Sequence, residues 1–195
     1  MLYGLVLAGG RSSRMGSDKG LLYYHGKPQR EHLYQMLAPL CDRVYLSLRP
    51  DQVAAVPPHY RVVADTNEHG GPFNGLLSAQ KKHPGASWLV LACDLPLMDR
   101  PALDRLLAKR ERARVASAFS QEGSGRPEPL AAIWEAHGLE AARQFLEGGG
   151  PPSPQRFLLE NQAHLVHPRR PQVLFNANSV QEYQQLLALL QKRRP

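Results

Sequence analysis

A glycine-rich, basic stretch near the N-terminus, residues 7–21, contains the residue types that bind phosphate groups. It follows a short apolar run, Leu2 to Leu7, and reads Leu-Ala-Gly-Gly-Arg-Ser-Ser-Arg-Met-Gly-Ser-Asp-Lys-Gly-Leu. The small side chains of Ala8, Gly9 and Gly10 let backbone N–H groups approach a ligand, and Arg14 and Lys19 add positive charge. Oriented N–H groups beside cations bind phosphates. The stretch therefore predicts an anion-binding loop directly after the first strand.

The loop differs from the two most common phosphate loops. A P-loop needs Ser or Thr after its lysine, whereas Gly20 follows Lys19 here. The spacing of Gly9, Gly10 and Gly16 does not match Gly-x-Gly-x-x-Gly, the dinucleotide fingerprint. The alternative for the loop is a surface turn with solvated charges.

Two carboxylates follow apolar runs that are typical of buried strands. Asp94 comes after Trp88 to Cys93, and Asp65 comes after Tyr60 to Ala64. The carboxyl ends of parallel strands form the ligand-binding edge of an open α/β sheet, where Asp94 would face bound phosphates across a Mg²⁺ ion. Taken alone, Asp94 is equally typical of a helix cap, and Asp65 of a turn.

Apolar runs alternate with helix-like segments along most of the chain. This alternation predicts an α/β protein with three layers, a mostly parallel central sheet and helices on both faces. The pattern predicts strands at 2–7, 43–48, 60–64, 88–93, 115–119 and 130–134, and helices at 30–40, 72–83, 100–112, 137–146 and 179–191. Residues 148–154, rich in glycine and proline, are expected to form a flexible loop. We expect one domain over residues 1–195.

Composition limits the classes of protein and partner. The chain has 195 residues, of which 43% are hydrophobic, and it has no run long enough to span a membrane and no secretory signal. Only two cysteines occur, which fits a reducing cytoplasm. The net charge of +7 suits an anionic ligand; because its charges are scattered and not interleaved with aromatic residues, we expect no nucleic-acid partner.

The full string of residues 7–21 resembles the signature of the molybdenum cofactor guanylyltransferases. Four further motifs occur in the order found in that family: Asp65, then Gly71-Pro72, then Asp94, and finally Asn176-Ala177-Asn178. The resemblance covers nearly the whole chain. One departure is Ser47 at the end of the second predicted strand, where many members have Asn.

The resemblance implies a Rossmann-like nucleotidyltransferase fold and transfer of GMP from GTP to the terminal phosphate of molybdenum-molybdopterin, with Mg²⁺ as cofactor. It implies that Arg14, Lys19 and Asp94 are catalytic and that Asp94 holds the metal. The residues implied to bind GTP are Leu7, Ala8, Gly9, Gly10, Lys19, Ser47, Asp65, Gly71 and Asp94; Asn176 and Asn178 would face the pterin.

Three alternatives remain open at this stage. A cobinamide phosphate guanylyltransferase or a molybdopterin cytidylyltransferase would use related residues with a different acceptor or base. The third is a nucleotide- or nucleic-acid-binding module without enzymatic activity, which only the net charge favours. Proteins that hand over the cofactor are possible further partners.

Overall fold

Seven strands form one sheet in the computed structural model, which describes residues 1–10, 18–177, 181, 182 and 186. In chain order they are β1 (Leu2–Leu7), β2 (Arg43–Leu48), β3 (Val62–Ala64), β4 (Ser87–Ala92), β5 (Ala116–Ser120), β6 (Pro127–Trp134) and β7 (His164–Val166). Their order in the sheet is β3-β2-β1-β4-β6-β5-β7. The order reverses beside β1, because the chain adds β2 and β3 on one side and then β4 on the other.

The prediction of a mostly parallel sheet is confirmed. Strand β1 runs parallel to β2 and β4, β2 runs parallel to β3, and β5 runs parallel to β7. Of the seven strands described, only β6 is antiparallel to its neighbours, β4 and β5. The carboxyl ends of β1 to β4 therefore meet at one edge of the sheet.

Helices cover both faces of this sheet. They are α1 (Gln29–Leu37), α2 (Pro50–Val53), α3 (Pro72–Lys82), α4 (Arg100–Ala108), α5 (Ala136–Glu147) and α6 (Pro154–Glu160). Successive strand residues point to opposite faces, so each strand contributes to two cores. One core joins the sheet to α1 and α4, and the other joins it to α3, α5 and α6.

The strands at the site show this alternation clearly. Val6 and Leu46, which are paired in register, point into the core under α1 and α4. Their neighbours Leu5 and Tyr45 point into the opposite core, together with the fully buried Trp88. Burial of these side chains on both faces fixes the strands and thereby the loops that follow them.

Element bounds differ from the prediction where polar residues form specific contacts. Helix α4 ends at Ala108 rather than at residue 112, and the next arginine, Arg110, forms a bidentate ion pair with Glu135. Strand β6 begins at Pro127 rather than at residue 130, next to an irregular register opposite β5.

The C-terminal third adds elements that the prediction lacked. Strand β7 adds an edge to the sheet, and α6 begins at Pro154, where Ser153 caps it by accepting from the Arg156 backbone N–H at 3.3 Å. The predicted loop at 148–154 is thus a short connection between α5 and α6. The predicted helix at 179–191 lies largely outside the described residues. Within the residues described, no helix is long and apolar enough to cross a membrane.

Candidate active site

A cavity of about 560 Å³ opens at the carboxyl edge of β1 to β4. It brings together all nine predicted nucleotide-binding residues: Leu7, Ala8, Gly9, Gly10, Lys19, Ser47, Asp65, Gly71 and Asp94. These residues come from five separate segments of the chain, and the parallel strands bring the residues at their carboxyl ends to one edge. The residues predicted to bind the nucleotide therefore line one cavity, and their roles stay a prediction. Arg14 lies outside the described residues.

The chain leaves β1 along the ends of its neighbouring strands. The Ala8 backbone N–H donates to the Ser47 carbonyl oxygen at 3.0 Å, which continues the β1–β2 ladder into the loop. A Cβ atom at Gly9 would lie 2.7 Å from Asp65 Oδ2 and 3.1 Å from the Arg49 backbone nitrogen. Glycine is therefore required at this position because the Asp65 carboxylate occupies the space of a side chain.

Ser47 holds the Asp65 carboxylate in place. Its Oγ donates to Asp65 Oδ1 at 2.7 Å, and both side chains are buried. Burial raises the pKa of Asp65, while the hydrogen bond from Ser47 and the positive charge of Arg49 act in the opposite direction. Ser47 also lines the cavity, so its predicted contact with a nucleotide stays a prediction beside the contact that the structure gives it.

Arg49 and Gln52, which the sequence analysis did not select, hold the two ends of the glycine-rich loop. Arg49 Nη1 donates to the Gly9 carbonyl oxygen at 2.8 Å. Gln52 Nε2 donates to Asp18 Oδ2 at 2.7 Å, and the other Asp18 oxygen accepts from the Gly20 backbone N–H at 2.8 Å. Arg49 directly follows β2. Asp65 and Asp94 were selected because they follow predicted strands, and the same reasoning would have selected Arg49.

The N-terminus of α3 forms another wall of the cavity. Gly71 precedes the helix with a φ of 60°, a left-handed conformation that favours glycine, and Pro72 occupies the first turn. A Cβ atom at Gly75 would overlap the Ser47 hydroxyl and would lie 2.6 Å from Leu7 Cδ2. The helix therefore packs directly on the ends of β1 and β2, which brings its positive N-terminal end to the cavity.

Asp94 lies just beyond β4 and lines the cavity, as does Lys19. Burial raises the pKa of Asp94, and the positive charge of Lys19 opposes that effect. The charge of Asp94 also acts on Glu128, a carboxyl group on β6. Burial raises the pKa of Glu128, and the negative charge of Asp94 raises it further. The Leu130 backbone N–H, which donates to Glu128 Oε1 at 3.2 Å, lowers this pKa.

The Asp94 carboxylate is a group of the kind that binds a divalent cation. Mg²⁺ binds through one or two carboxylates and completes its shell with phosphate oxygens and water. Asp94 lines the cavity and offers such a carboxylate, whereas Glu128 does not line it and only raises the local negative charge. Among the described residues, no group of three or more His, Cys, Asp or Glu side chains could hold a metal alone.

The predicted C-terminal motif reaches the site through its backbone. The Ala177 N–H donates to the Asp94 carbonyl oxygen at 3.0 Å, which anchors this segment beside the carboxylate. Asn176 Oδ1 is buried and has no hydrogen-bond partner within the described ranges. Asn178, the other residue predicted to face the pterin, lies outside them.

Open α/β sheets bind nucleotides where the strand order reverses, and the cavity lies at this point of the sheet. Fold and cavity together define an α/β nucleotide-binding protein. The family described as "MobA-like NTP transferase domain" matches residues 4–167. The chain belongs to this family, as the resemblance predicted.

Named relatives agree with this assignment. The chain is 36% identical over 160 residues to a molybdenum cofactor guanylyltransferase of Pseudomonas aeruginosa, covering 80% of this chain and 78% of that protein. It is 34% identical over 186 residues to the molybdenum cofactor biosynthesis bifunctional protein of Synechocystis, covering 95% of this chain but only 53% of that protein's length.

The fold is shared with solved structures. The crystal structure of molybdopterin-guanine dinucleotide biosynthesis protein A from Archaeoglobus fulgidus superposes with a TM-score of 0.73 at 18% identity, covering 97% of this chain and 99% of that one. The predicted Rossmann-like nucleotidyltransferase fold is confirmed by such neighbours.

Proposed function

We propose that this protein transfers GMP from GTP to the terminal phosphate of molybdenum-bound molybdopterin and releases pyrophosphate. The observation that carries the proposal is the single cavity in which all nine predicted nucleotide-binding residues meet. The name of the Pseudomonas aeruginosa relative supports guanosine as the nucleoside and the molybdenum cofactor as the acceptor.

The reaction requires positioning more than proton transfer. An oxygen of the acceptor phosphate attacks the α-phosphorus of GTP; one P–O bond forms, and the bond to the β-phosphate breaks as pyrophosphate leaves. A phosphate monoester is already an anionic nucleophile, so the protein need only align two anions and stabilise the charge that develops. Lys19 neutralises the triphosphate and the departing pyrophosphate, and Arg14 is proposed to do the same.

The remaining residues orient the nucleoside. Backbone groups of Leu7, Ala8, Gly9 and Gly10 meet the guanine, and Asp65, held by Ser47, fixes the nucleoside with help from Gly71. Asn176 and Asn178 are assigned to the pterin side. The hydrogen bond from the Ala177 N–H to the Asp94 carbonyl oxygen supports this assignment, because Asp94 is the residue proposed to hold the metal.

The activity is proposed to depend on Mg²⁺, which Asp94 binds with Glu128 close by. When bound, the ion neutralises charge on the transferred phosphates. Asp94 must be ionised to bind it, and burial raises the pKa of this carboxyl group. Cation affinity is therefore expected to fall as the pH drops toward the pKa of Asp94.

The decisive experiment mixes the protein with Mg-GTP and molybdenum-loaded molybdopterin and detects the guanine dinucleotide by mass. Parallel reactions with CTP, ATP and UTP test the base. Asp94→Asn is expected to lose transfer and to weaken Mg²⁺ binding measured by calorimetry. Asp104→Asn, which alters an exposed carboxylate paired with Arg100 on α4, is the matched control. Near-normal transfer by Asp94→Asn would contradict the metal assignment, and a product formed from CTP alone would contradict the guanylyl assignment.

We further propose that the reaction takes place in the cytoplasm. Both cysteines, Cys41 and Cys93, are free thiols, and burial raises the pKa of each. Cys93 is buried and Cys41 is half-buried, and free thiols of this kind fit a reducing compartment. The partners proposed are GTP, the molybdenum cofactor and proteins that hand it over.

A further inference from the structure

Arg30 is a charged residue on the core-facing side of α1. Residues three and seven positions further along, Leu33 and Leu37, lie on the same side of the helix and are completely buried. Arg30 itself is only 5% exposed. An apolar residue is expected at this position, because it continues the stripe that packs on the sheet.

The guanidinium of Arg30 has no counter-ion within the described part of the chain. Its Nε is buried without a hydrogen-bond partner, and none of the ion pairs found among described residues involves it. The preceding residue, Gln29, is fully buried, and both of its amide atoms also lack partners. A buried charge without a partner is costly, so this arrangement is expected to persist only where an anion completes it.

Arg30 lies directly behind the wall of the cavity. A Cβ atom at Gly20 would be 3.2 Å from Asp18 Oδ1, 3.3 Å from the Ala8 Cβ and 3.5 Å from the Arg30 Cβ. Gly20, Ala8 and Asp18 line the cavity, and Asp18 directs its carboxylate to the Gly20 backbone N–H and the Gln52 amide. Arg30 is also close to Cys93, which lines the cavity. Burial raises the pKa of the Cys93 thiol, while the positive charges of Arg30 and Lys19 oppose that effect. Arg30 and Lys19 therefore both lie close to the segment that carries Asp94.

The N-terminus of α1 strengthens the positive potential at this point. Helix α1 has nine residues and begins at Gln29, one residue before Arg30. Its N-terminal end carries a partial positive charge, so an arginine there is repelled unless an anion lies nearby. The only acidic residue in its first turn, Glu31, accepts from the Tyr60 hydroxyl at 3.2 Å instead.

We propose that Arg30 is a further cationic residue of the active site, in addition to Arg14 and Lys19, and binds phosphoryl oxygens of a substrate. The inference rests on the proposed function and adds to it a residue that the recognised motifs do not contain. The phosphoryl group belongs either to the nucleotide triphosphate or to the acceptor phosphomonoester, and both have the same chemistry at the guanidinium. Arginine suits this role because its planar fork matches two phosphate oxygens at once.

The test compares Arg30→Met, Arg30→Lys and the control Arg112→Met, which removes an exposed arginine far along the chain. Calorimetry gives the Kd of Mg-GTP and of pyrophosphate, steady-state assays give the KM of each substrate, and thermal unfolding gives the Tm without ligand. Arg30→Met is expected to raise the Kd or KM of one substrate about tenfold or more. Its Tm without ligand should equal or exceed that of the wild type, because an unpaired buried charge is gone.

The pattern of outcomes identifies the source of the phosphate. A higher Kd for Mg-GTP in Arg30→Met assigns the residue to the nucleotide, whereas a higher KM for the acceptor alone assigns it to the acceptor. Arg30→Lys is expected to recover part of the affinity, since it keeps the charge and loses the fork.

Two results overturn the inference. If Arg30→Met has a lower Tm while every Kd and KM stays within about twofold of the wild type, Arg30 is structural; if Arg30→Met does not fold, unchanged constants in Arg30→Lys lead to the same conclusion. Neither result concerns the transfer of GMP by the wild type, so the proposed function is unaffected by them. A wild type that binds neither Mg-GTP nor pyrophosphate overturns both.

Discussion

Replacing Ser47 by Ala removes the hydrogen bond that holds Asp65 at the cavity. The bond is short, at 2.7 Å, and joins two side chains that are 1% and 9% exposed. A buried hydrogen bond to a charged group contributes about 1.5–3 kcal/mol. We therefore expect Ser47→Ala to lower the free energy of unfolding by about 2 kcal/mol at pH 7.

The size of this loss should depend on pH. Burial raises the pKa of Asp65 above its usual value of 3.8, and Ser47 opposes that effect. A carboxyl group with a raised pKa in the folded state weakens folding as the pH rises from the unfolded pKa through the folded one. Without Ser47 the folded pKa rises further. The cost of Ser47→Ala is therefore largest at neutral pH and becomes smaller on acidification, as Asp65 becomes protonated.

Urea unfolding followed by circular dichroism measures the effect across this pH range. The same substitution made in an Asp65→Asn background is the matched control, because Asn accepts the bond as a neutral group and its loss should cost about 1 kcal/mol. The difference of about 1 kcal/mol between the two backgrounds isolates the charge. Equal losses in both backgrounds, or a loss below about 0.5 kcal/mol at pH 7, would refute the reasoning.

Three further predictions concern separate parts of the molecule. Gly9→Ala places a Cβ atom 2.7 Å from Asp65 Oδ2, so we expect loss of Mg-GTP binding in calorimetry, and unchanged affinity would contradict the close packing of this loop. Burial, together with the charges of His25 and Lys27, lowers the pKa of His32 from 6.5 to about 4, so stability should fall as the pH drops from about 6.5 toward 4. Because His32 is partly exposed, we expect a loss of about 1–2 kcal/mol that His32→Phe removes; an identical pH profile in that variant would argue against it. Arg110→Met leaves Glu135 buried without its cation and should cost about 3–5 kcal/mol in urea unfolding, most of which Arg110→Met/Glu135→Leu recovers.

The parts of the site that could be predicted are those that depend on strand ends. Asp65 and Asp94 each follow an apolar run, and parallel strands bring such positions to one edge whatever the details of packing. The small size of Gly9 predicted a close approach of its backbone to another group. The Asp65 carboxylate beside it could not be predicted, because that contact joins residues far apart in the sequence. The alternation of apolar runs with helix-like segments likewise predicted a mostly parallel sheet with helices on both faces.

The missed residues depend on contacts that no local pattern encodes. Gln52 lies in the short helix α2, and only the fold brings its amide to Asp18. Arg30 reads as an ordinary polar residue at the start of a helix, and its burial follows from packing against Gly20 and the sheet. Ser47 was assigned to a nucleotide because family members have Asn there, while its contact with Asp65 comes from the register of β2 and β3.

The hydrogen bond between Ala177 and Asp94 has a consequence for how the protein is made. Synthesis proceeds from the N-terminus, so the glycine-rich loop leaves the ribosome well before the segment that anchors Asp94. Domains generally fold as units during this process. The site of the nascent chain is thus incomplete until residue 177 has emerged. Nucleotide binding is therefore expected only near the end of synthesis, and it could serve as a measure of complete folding.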